Sequence, residues 1–369
     1  MSPIRFGVVG SGWRAEFFVR MARLLPDRFQ VTAVVTRTAE RGAQVEAAWG
    51  VPTVRTVEEL LTGAVPGGGV APDRPAFVVV CVPWPVTPEV IREVADAGVP
   101  VLAETPPAPD AAGLRSLWAD VGSTGLVQVA EHSPYMPAHV ARSALVDAGV
   151  IGAVTSVQIS STHLYHAVAT VRRLLAAGRG EVTVRASTFV APLLDPVSRD
   201  GWTDASEPTP ATTTLATLDF GGGRSGLYDF TDNQWHNPLR TNRIVVRGSH
   251  GEIVDDSVTR WADERTVLTS PIVRRQSGIE QDLDGFDLEH LSHDGRMLFR
   301  NAFGGARLAD DDIAVAGLLA ATGAWVRGEG PAPYPLADGC QDHLIGLAID
   351  EAARSGAPVW LPPEAWADA

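Results

Sequence analysis

Only two cysteines occur in the 369 residues, Cys81 and Cys340, and they stand far apart without the paired spacing of a zinc module or a disulfide framework. A reducing cytoplasm is the simplest home for such a chain and is the expected localisation. Clusters of Lys or Arg are absent and the net charge is -14 at pH 7. A nucleic-acid partner is therefore not expected, because phosphate neutralisation carries most of such binding. No run of about 18 uninterrupted apolar residues occurs, so no membrane partner is expected either. The N-terminus passes almost directly into "IRFGVVGSG", without a charged-then-apolar leader, and the chain reads as soluble and not exported. Internal repeats and low-complexity tails are also missing.

What is present is the composition of a globular protein, 45% hydrophobic and 20% charged, in a chain long enough to favour two domains. Over the first 130 residues short β-branched runs alternate with helical stretches. The runs are "IRFGVV", "FQVTAVV", "AFVVVCV", "VPVLAE" and "GLVQVAE", with "AEFFVRMARLL", "AERGAQVEAAW", "TVEELL", "PEVIREVADAG" and "DAAGLRSLWADV" between them. That pattern predicts βα units feeding a doubly wound parallel sheet, a Rossmann domain over residues 1–130. "VPGGGVAPDRP", 65–75, reads as a loop. From residue 131 to 369 the texture changes to longer alternating runs, such as "AVTSVQIS", "TTTLATLDF" and "RTNRIVVRG", with helix again at 308–326 and 341–355. These predict a C-terminal α/β domain on a large open, mainly antiparallel sheet.

Gly10-Ser11-Gly12-Trp13-Arg14-Ala15 lies between the first strand and the first helix. Two glycines there allow a tight turn and close approach of the backbone to a pyrophosphate, and a small third residue lets helix and strand pack closely. About 20 residues on, a dinucleotide fold that takes NAD usually offers a carboxylate to the ribose hydroxyls. Here the strand ends in Val35-Thr36-Arg37-Thr38. No acid stands there, and Arg37 offers a planar fork to a 2'-phosphate, so NADP is expected before NAD. Thr36 and Pro83, each at a strand's carboxyl end, complete the expected cofactor contacts on this side.

With these units in place, the chain resembles the Gfo/Idh/MocA family, the group of glucose-fructose oxidoreductase and inositol dehydrogenase, over nearly its whole length. "AGVPVLAETPPA" sits where that family has Gly-x-x-Val-x-x-Glu-Lys-Pro, and "PYMPAHVARSALVDAGVIGAVTSVQ" matches its Tyr-x-Pro, helix and Gly-x-Ile-Gly. "HAVATVRRLLAAG" looks like the helix that follows the family's catalytic histidine. The resemblance implies that Glu104 and Pro106 border the nicotinamide, and that the position of Thr105, a lysine in the family, contacts the reacting hydroxyl. Threonine can donate a hydrogen bond but brings no charge to a developing alkoxide. The resemblance also implies an Asp four residues before the histidine and another three after it; this chain has Thr162, His166 and Ala169.

His166 is the expected acid/base, since an imidazole is the natural proton acceptor for an alcohol at neutral pH. Thr105 and Tyr135 are its expected hydrogen-bonding neighbours. His163 and Tyr165 flank His166, and the His-x-x-His spacing raises a metal reading; on a strand the two imidazoles would face opposite sides and no third ligand is adjacent, so no metal is expected. His163, His132, Asp232, Trp235 and His236 are the candidate substrate contacts, the last three from "YDFTDNQWHNPLRTNR", which also reads as an ornate turn.

The function implied is hydride transfer between a nicotinamide and a hydroxyl-bearing carbon of a sugar, cyclitol or related polyol. Reduction of a C=N or C=C bond, which needs the lysine less, is the alternative among redox enzymes. A sensor of NADP(H), or a lyase or hydrolase without net redox, is the alternative of another class. A homodimer or homotetramer is expected, the open sheet face needing cover.

Overall fold

The apolar runs of the N-terminal third fold where their patterning places them. In the computed structural model, which describes residues 2–63, 74–282 and 285–369, β1 (Ile4–Val9) and β2 (Phe29–Val35) coincide with two of those runs, and both are largely buried. Between them α1 (Trp13–Leu24) buries Ala15, Phe18, Val19 and Met21 at helical spacing. Thr38 caps α2 (Ala39–Trp49), its side chain accepting from the Arg41 N–H at 3.2 Å, and Gly50 ends that helix in the left-handed region. Then come β3 (Thr53–Val54), α3 (Val57–Thr62) with a Thr56/Glu59 capping box, β4 (Phe77–Val80), α4 (Thr87–Asp96), β5 (Val101–Ala103), α5 (Ala111–Val121) and β6 (Val127–Val129). The 65–75 loop read from the sequence lies almost wholly outside the described residues.

The six strands pair in parallel in the order β3-β2-β1-β4-β5-β6. Chain order reverses between β1 and β4. In a doubly wound sheet the crevice at the carboxyl ends beside that switch point is where a ligand binds.

This sheet and its helices form one compact unit, Met1–Met136 with Gln276–Glu289 and Asn301–Cys340. The last two segments were read from the sequence as part of the second domain. The helix Asp310–Val326 belongs to this first unit and packs on α1. It is apolar on nearly every side, as a helix buried among other elements must be.

The second unit comprises Pro137–Arg275, His290–Arg300 and Gln341–Ala369. Its nine-stranded sheet is antiparallel except where β7 (Val154–Ser160) runs parallel to Ser225–Thr231. The helix α6 (Pro137–Asp147) leads in, and α7 (Leu164–Leu175) covers β7. The longest pairing joins β8 (Val182–Leu193) to Thr209–Asp219. Its two faces differ. Val184, Leu218 and Ala216 are buried on one, whereas Phe189, Leu215 and Trp360 are 56%, 41% and 59% exposed on the other. Register puts these last three on one face, because cross-strand partners share a side.

Candidate active site

The glycine-rich turn leaves the end of β1 at Gly10, whose φ is +110° and where a Cβ would stand 2.1 Å from the Cys81 carbonyl oxygen. Only glycine lets the chain pass that close to the end of β4. Gly12 is the N-cap of α1, offers no side-chain cap, and has nothing within 4 Å of the place a Cβ would take. The start of α1, the positive end of the helix, therefore has no side-chain cap from its N-cap residue. Ala15 is fully buried where helix meets strand. Trp13 is about half exposed, as is Trp84, which follows the exposed Pro83 after β4.

At the end of β2 Thr36 is buried and accepts from Arg55 Nη1. Arg37 is exposed and makes no hydrogen bond with the described residues. The cation that reaches the turn is Arg41: its Nε donates to Ser11 Oγ at 3.0 Å and its Nη2 to the Ser11 carbonyl. Sequence reasoning passed over Arg41, although its place one turn into α2, just after a capped start, is the available signal.

At the end of β5 Glu104 is buried. One of its oxygens accepts from Arg14 Nε at 2.5 Å; the other accepts from the Thr105 N–H at 2.9 Å and from its hydroxyl at 3.3 Å. Arg14 Nη2 in turn meets His132 Nδ1 at 3.1 Å, and His132 Nε2 meets Asp311 Oδ1 at 2.8 Å. Burial works against the Arg14 charge, but the Glu104 carboxylate outweighs it and holds the guanidinium above its ordinary pKa. Burial alone would raise Asp311; the His132 hydrogen bond and charge, with Arg14 and Arg20, hold it below the usual carboxylate value. Burial and the nearby Glu104 keep the Cys81 thiol protonated, well above its ordinary pKa. Pro106 follows in a buried position. His132, read from the sequence as a substrate contact, has both ring nitrogens engaged inside this chain of charges. Tyr135 donates its hydroxyl to the Pro333 carbonyl at 3.1 Å, and burial pushes its pKa up to about 12. That bond anchors the ring, and the phenol holds its proton through neutral pH.

In the second unit His163 is the N-cap of α7 and His166 lies in its first turn, with ring centroids 5.1 Å apart. The strand geometry expected to separate them is not adopted, and a helical start sets them side by side. Around them stand Tyr165, 4.4 Å from His166 by ring centroid, and Trp235, 4.7 Å from His163. Phe230 lies 4.6 Å from Trp235, and Trp235 Nε1 donates to Thr162 Oγ1 at 3.4 Å. Ala169 is buried. The two positions where the family resemblance implied carboxylates thus hold Thr162 and the buried Ala169, and the ring neighbours of His166 are His163 and Tyr165.

The rest of the "TDNQWHN" stretch closes on the protein itself. Asp232 accepts from the Thr212 N–H at 3.2 Å, extending the hairpin ladder. Asn233 and Asn237 both donate to Asp195, and the buried Gln234 donates to the Ser160 carbonyl at 2.8 Å. His236 is half-buried. Of the three candidates from this stretch, Trp235 is the one brought against His163; Asp232 is occupied by backbone. Among the described residues no group of three or more His, Cys, Asp or Glu is placed to hold a metal, and no helix is long and apolar enough to cross a membrane.

Residues 4–132 match the Gfo/Idh/MocA oxidoreductase family, NAD-binding Rossmann fold. That segment belongs to the family. The oxidoreductase is also similar in fold to three solved structures. An oxidoreductase from Agrobacterium radiobacter, in complex with NAD+, L-tartaric acid and magnesium, aligns at 14% identity and TM-score 0.67 over 97% of this chain and 98% of its own. A myo-inositol dehydrogenase from Corynebacterium glutamicum aligns at 17% and 0.64, over 98% of this chain and 100% of its own. A levoglucosan dehydrogenase in complex with NADH and levoglucosan aligns at 16% and 0.66, over 98% and 100%. No curated protein matches the sequence.

The residues present fit an NAD(P) dinucleotide: an uncapped α1 start, open space beside the Gly12 backbone and the switch-point crevice next to it. The oxidoreductase contains no lysine at all, every one of its 30 basic residues being arginine. The cation in contact with Glu104 is Arg14.

Proposed function

We propose that this NAD(P)-dependent oxidoreductase moves a hydride between the nicotinamide and a hydroxyl-bearing carbon of a sugar, cyclitol or related polyol, with NADP preferred over NAD. The observation that carries the reading is His166 in the first turn of α7, beside His163 and the half-exposed Trp235. An indole face takes the C–H surface of a ring polyol while planar polar groups take its hydroxyls.

The dinucleotide supplies the hydride acceptor or donor. The first turn of α1 and Gly12 hold its pyrophosphate, and Arg37, exposed and unbonded to the described residues, takes the 2'-phosphate. His166 accepts the proton of the hydroxyl, an imidazole being matched to that transfer at neutral pH. Thr105, fixed through its N–H and hydroxyl by Glu104, is the polar neighbour of the reacting oxygen. Tyr135 and His132 hold the first unit's framework. The chain works in a cytoplasmic setting as a homodimer or homotetramer, a second copy covering the face that bears Phe189, Leu215 and Trp360; a stable monomer in light scattering at micromolar concentration would remove that part.

A screen of polyols and ketoses read at the nicotinamide absorbance tests the reaction. Turnover on a polyol, lost by about 10²-fold or more in His166→Ala, is expected. Cofactor binding without turnover on any of them would move the reading to reduction of C=N or C=C bonds, for which the uncharged Thr105 and the aromatic surroundings of His166 are a better match.

A further inference from the structure

Two halves of a doubly wound sheet divide a dinucleotide between them. The glycine turn after β1 and the strand end of β2 take the pyrophosphate and the adenosine ribose, so the carboxyl ends of β4 and β5, across the switch point, take the nicotinamide half. Glu104 stands at the end of β5 and is buried. An isolated carboxylate there would favour one redox form strongly, because the oxidised nicotinamide ring carries a positive charge and the reduced ring carries none, and little solvent screens the two.

The carboxylate is not isolated. Arg14 Nε lies 2.5 Å from it, and Arg14 is itself fixed by His132, which is bonded to Asp311. Both partners come from backbone positions set by the fold: Arg14 from the first turn of α1, Glu104 from the residue after β5. The guanidinium is always charged and held by more than one acceptor direction, so it cannot swing away as a lysine ammonium could.

We propose that Arg14 is the charge-setting residue of the nicotinamide half: by neutralising Glu104 it removes the preference for the oxidised ring, so that the oxidised and reduced dinucleotides are held with comparable affinity. The inference rests on the dinucleotide reading above and adds a specificity role to a residue of the glycine turn whose side chain that reading leaves without one.

The test is a charge cycle read as the ratio of dissociation constants, oxidised over reduced, for the full-length protein titrated with NADP+ and NADPH by calorimetry and fluorescence. Glu104→Gln keeps the side chain's size and leaves Arg14 uncompensated, so the ratio is expected to rise by about tenfold. Arg14→Met, read at about pH 9 where a carboxylate is ionised, is expected to lower it by a similar factor. Arg14→Lys and the double variant Arg14→Met/Glu104→Gln, both neutral as pairs, are expected to stay within about twofold of wild type. Opposite shifts that cancel in the double variant are a charge effect, which a purely structural contact does not produce. If either single variant fails to fold, the other decides: a ratio within about twofold of wild type overturns the proposal. Binding with an unvarying ratio removes this proposal alone, whereas no binding by wild type removes the cofactor reading and this proposal with it.

Discussion

The Tyr228 hydroxyl accepts a hydrogen bond from the Leu164 N–H at 3.2 Å, at the first residue of the helix that carries His166. Leu164 has φ 35°, a left-handed value that a branched residue adopts only when its surroundings hold it there. Tyr228 is almost fully buried in the strand Ser225–Thr231, and burial pushes its phenol above the ordinary value, so the acceptor is a neutral hydroxyl at neutral pH. Tyr228→Phe leaves a helix-start N–H without its partner. A stability loss of about 1 kcal/mol in urea unfolding is expected, together with lower turnover from a displaced His166. Unchanged turnover with the stability loss would mean that the bond serves the fold alone.

The two glycines of the turn separate folding from binding. Gly10→Ala sets a methyl against the Cys81 carbonyl at a φ of +110°, and a loss of about 3 kcal/mol or more, or no soluble protein, is expected. Gly12 has φ -78°, which alanine adopts freely, and nothing lies within 4 Å of the added carbon. Gly12→Ala is expected to change stability by under about 1 kcal/mol while weakening dinucleotide binding by about tenfold or more. Thermal melts with and without cofactor distinguish the two.

The turn was legible because its requirements are local: a strand end, a glycine in a left-handed φ and a helix start follow one another in sequence. The boundaries of β1, β2 and α2 were legible for the same reason, β1 being a buried run closed by Gly10, β2 a buried run closed before the Thr38 cap, and α2 the stretch between that cap and Gly50. What the sequence did not disclose is non-local. Arg14 and Glu104 are 90 residues apart, and Asn233 and Asn237 close on Asp195 about a strand pair away. The two-residue strand β3 is too short for any periodicity, and in β8 the alternation of Val182 to Ser187 is broken by Thr188 and by the exposed Phe189 and Val190. The return of 301–340 to the first unit leaves no local mark either.

Asp311 gives stability a sign with pH. Its folded pKa is depressed by His132, Arg14 and Arg20 against the opposing effect of burial, so its contribution is complete above the unfolded value of about 4 and is lost as pH falls through the folded value. Asp311→Asn is therefore expected to flatten the acid limb of the unfolding midpoint below about pH 4 and to leave the slope above about pH 5 unchanged. Parallel acid limbs in variant and wild type would place the acid sensitivity in other carboxylates.

Arg172 and Asp342 form an ion pair at 2.5 Å with both side chains almost fully buried, and Arg172 Nε also donates to the Gly178 carbonyl at 3.2 Å. Removing one charge strands the other in low dielectric. Asp342→Ala is expected to cost about 3–5 kcal/mol, and the double variant Arg172→Leu/Asp342→Leu to recover most of that loss. Chemical unfolding of the three proteins measures it; a double variant as unstable as the single one would assign the cost to lost packing rather than to charge.

Two arginines near the adenosine end have different expected roles, because one is committed and the other is not. Arg41 is tied to the turn through Ser11 and to Gln44 on its own helix, so its loss loosens the segment proposed to hold the pyrophosphate. Arg41→Ala is expected to weaken NAD and NADP alike. Arg37, with no hydrogen bond among the described residues, has its whole fork available to a 2'-phosphate. A charge-assisted hydrogen bond contributes about 1.5–3 kcal/mol, and so Arg37→Ala is expected to raise the NADP dissociation constant about tenfold or more while NAD changes by less than about twofold. Fluorescence titration of both cofactors against both variants reads the outcome directly. Equal losses for the two cofactors in Arg37→Ala would defeat the NADP preference, since a residue that meets only the 2'-phosphate cannot weaken a dinucleotide that lacks one.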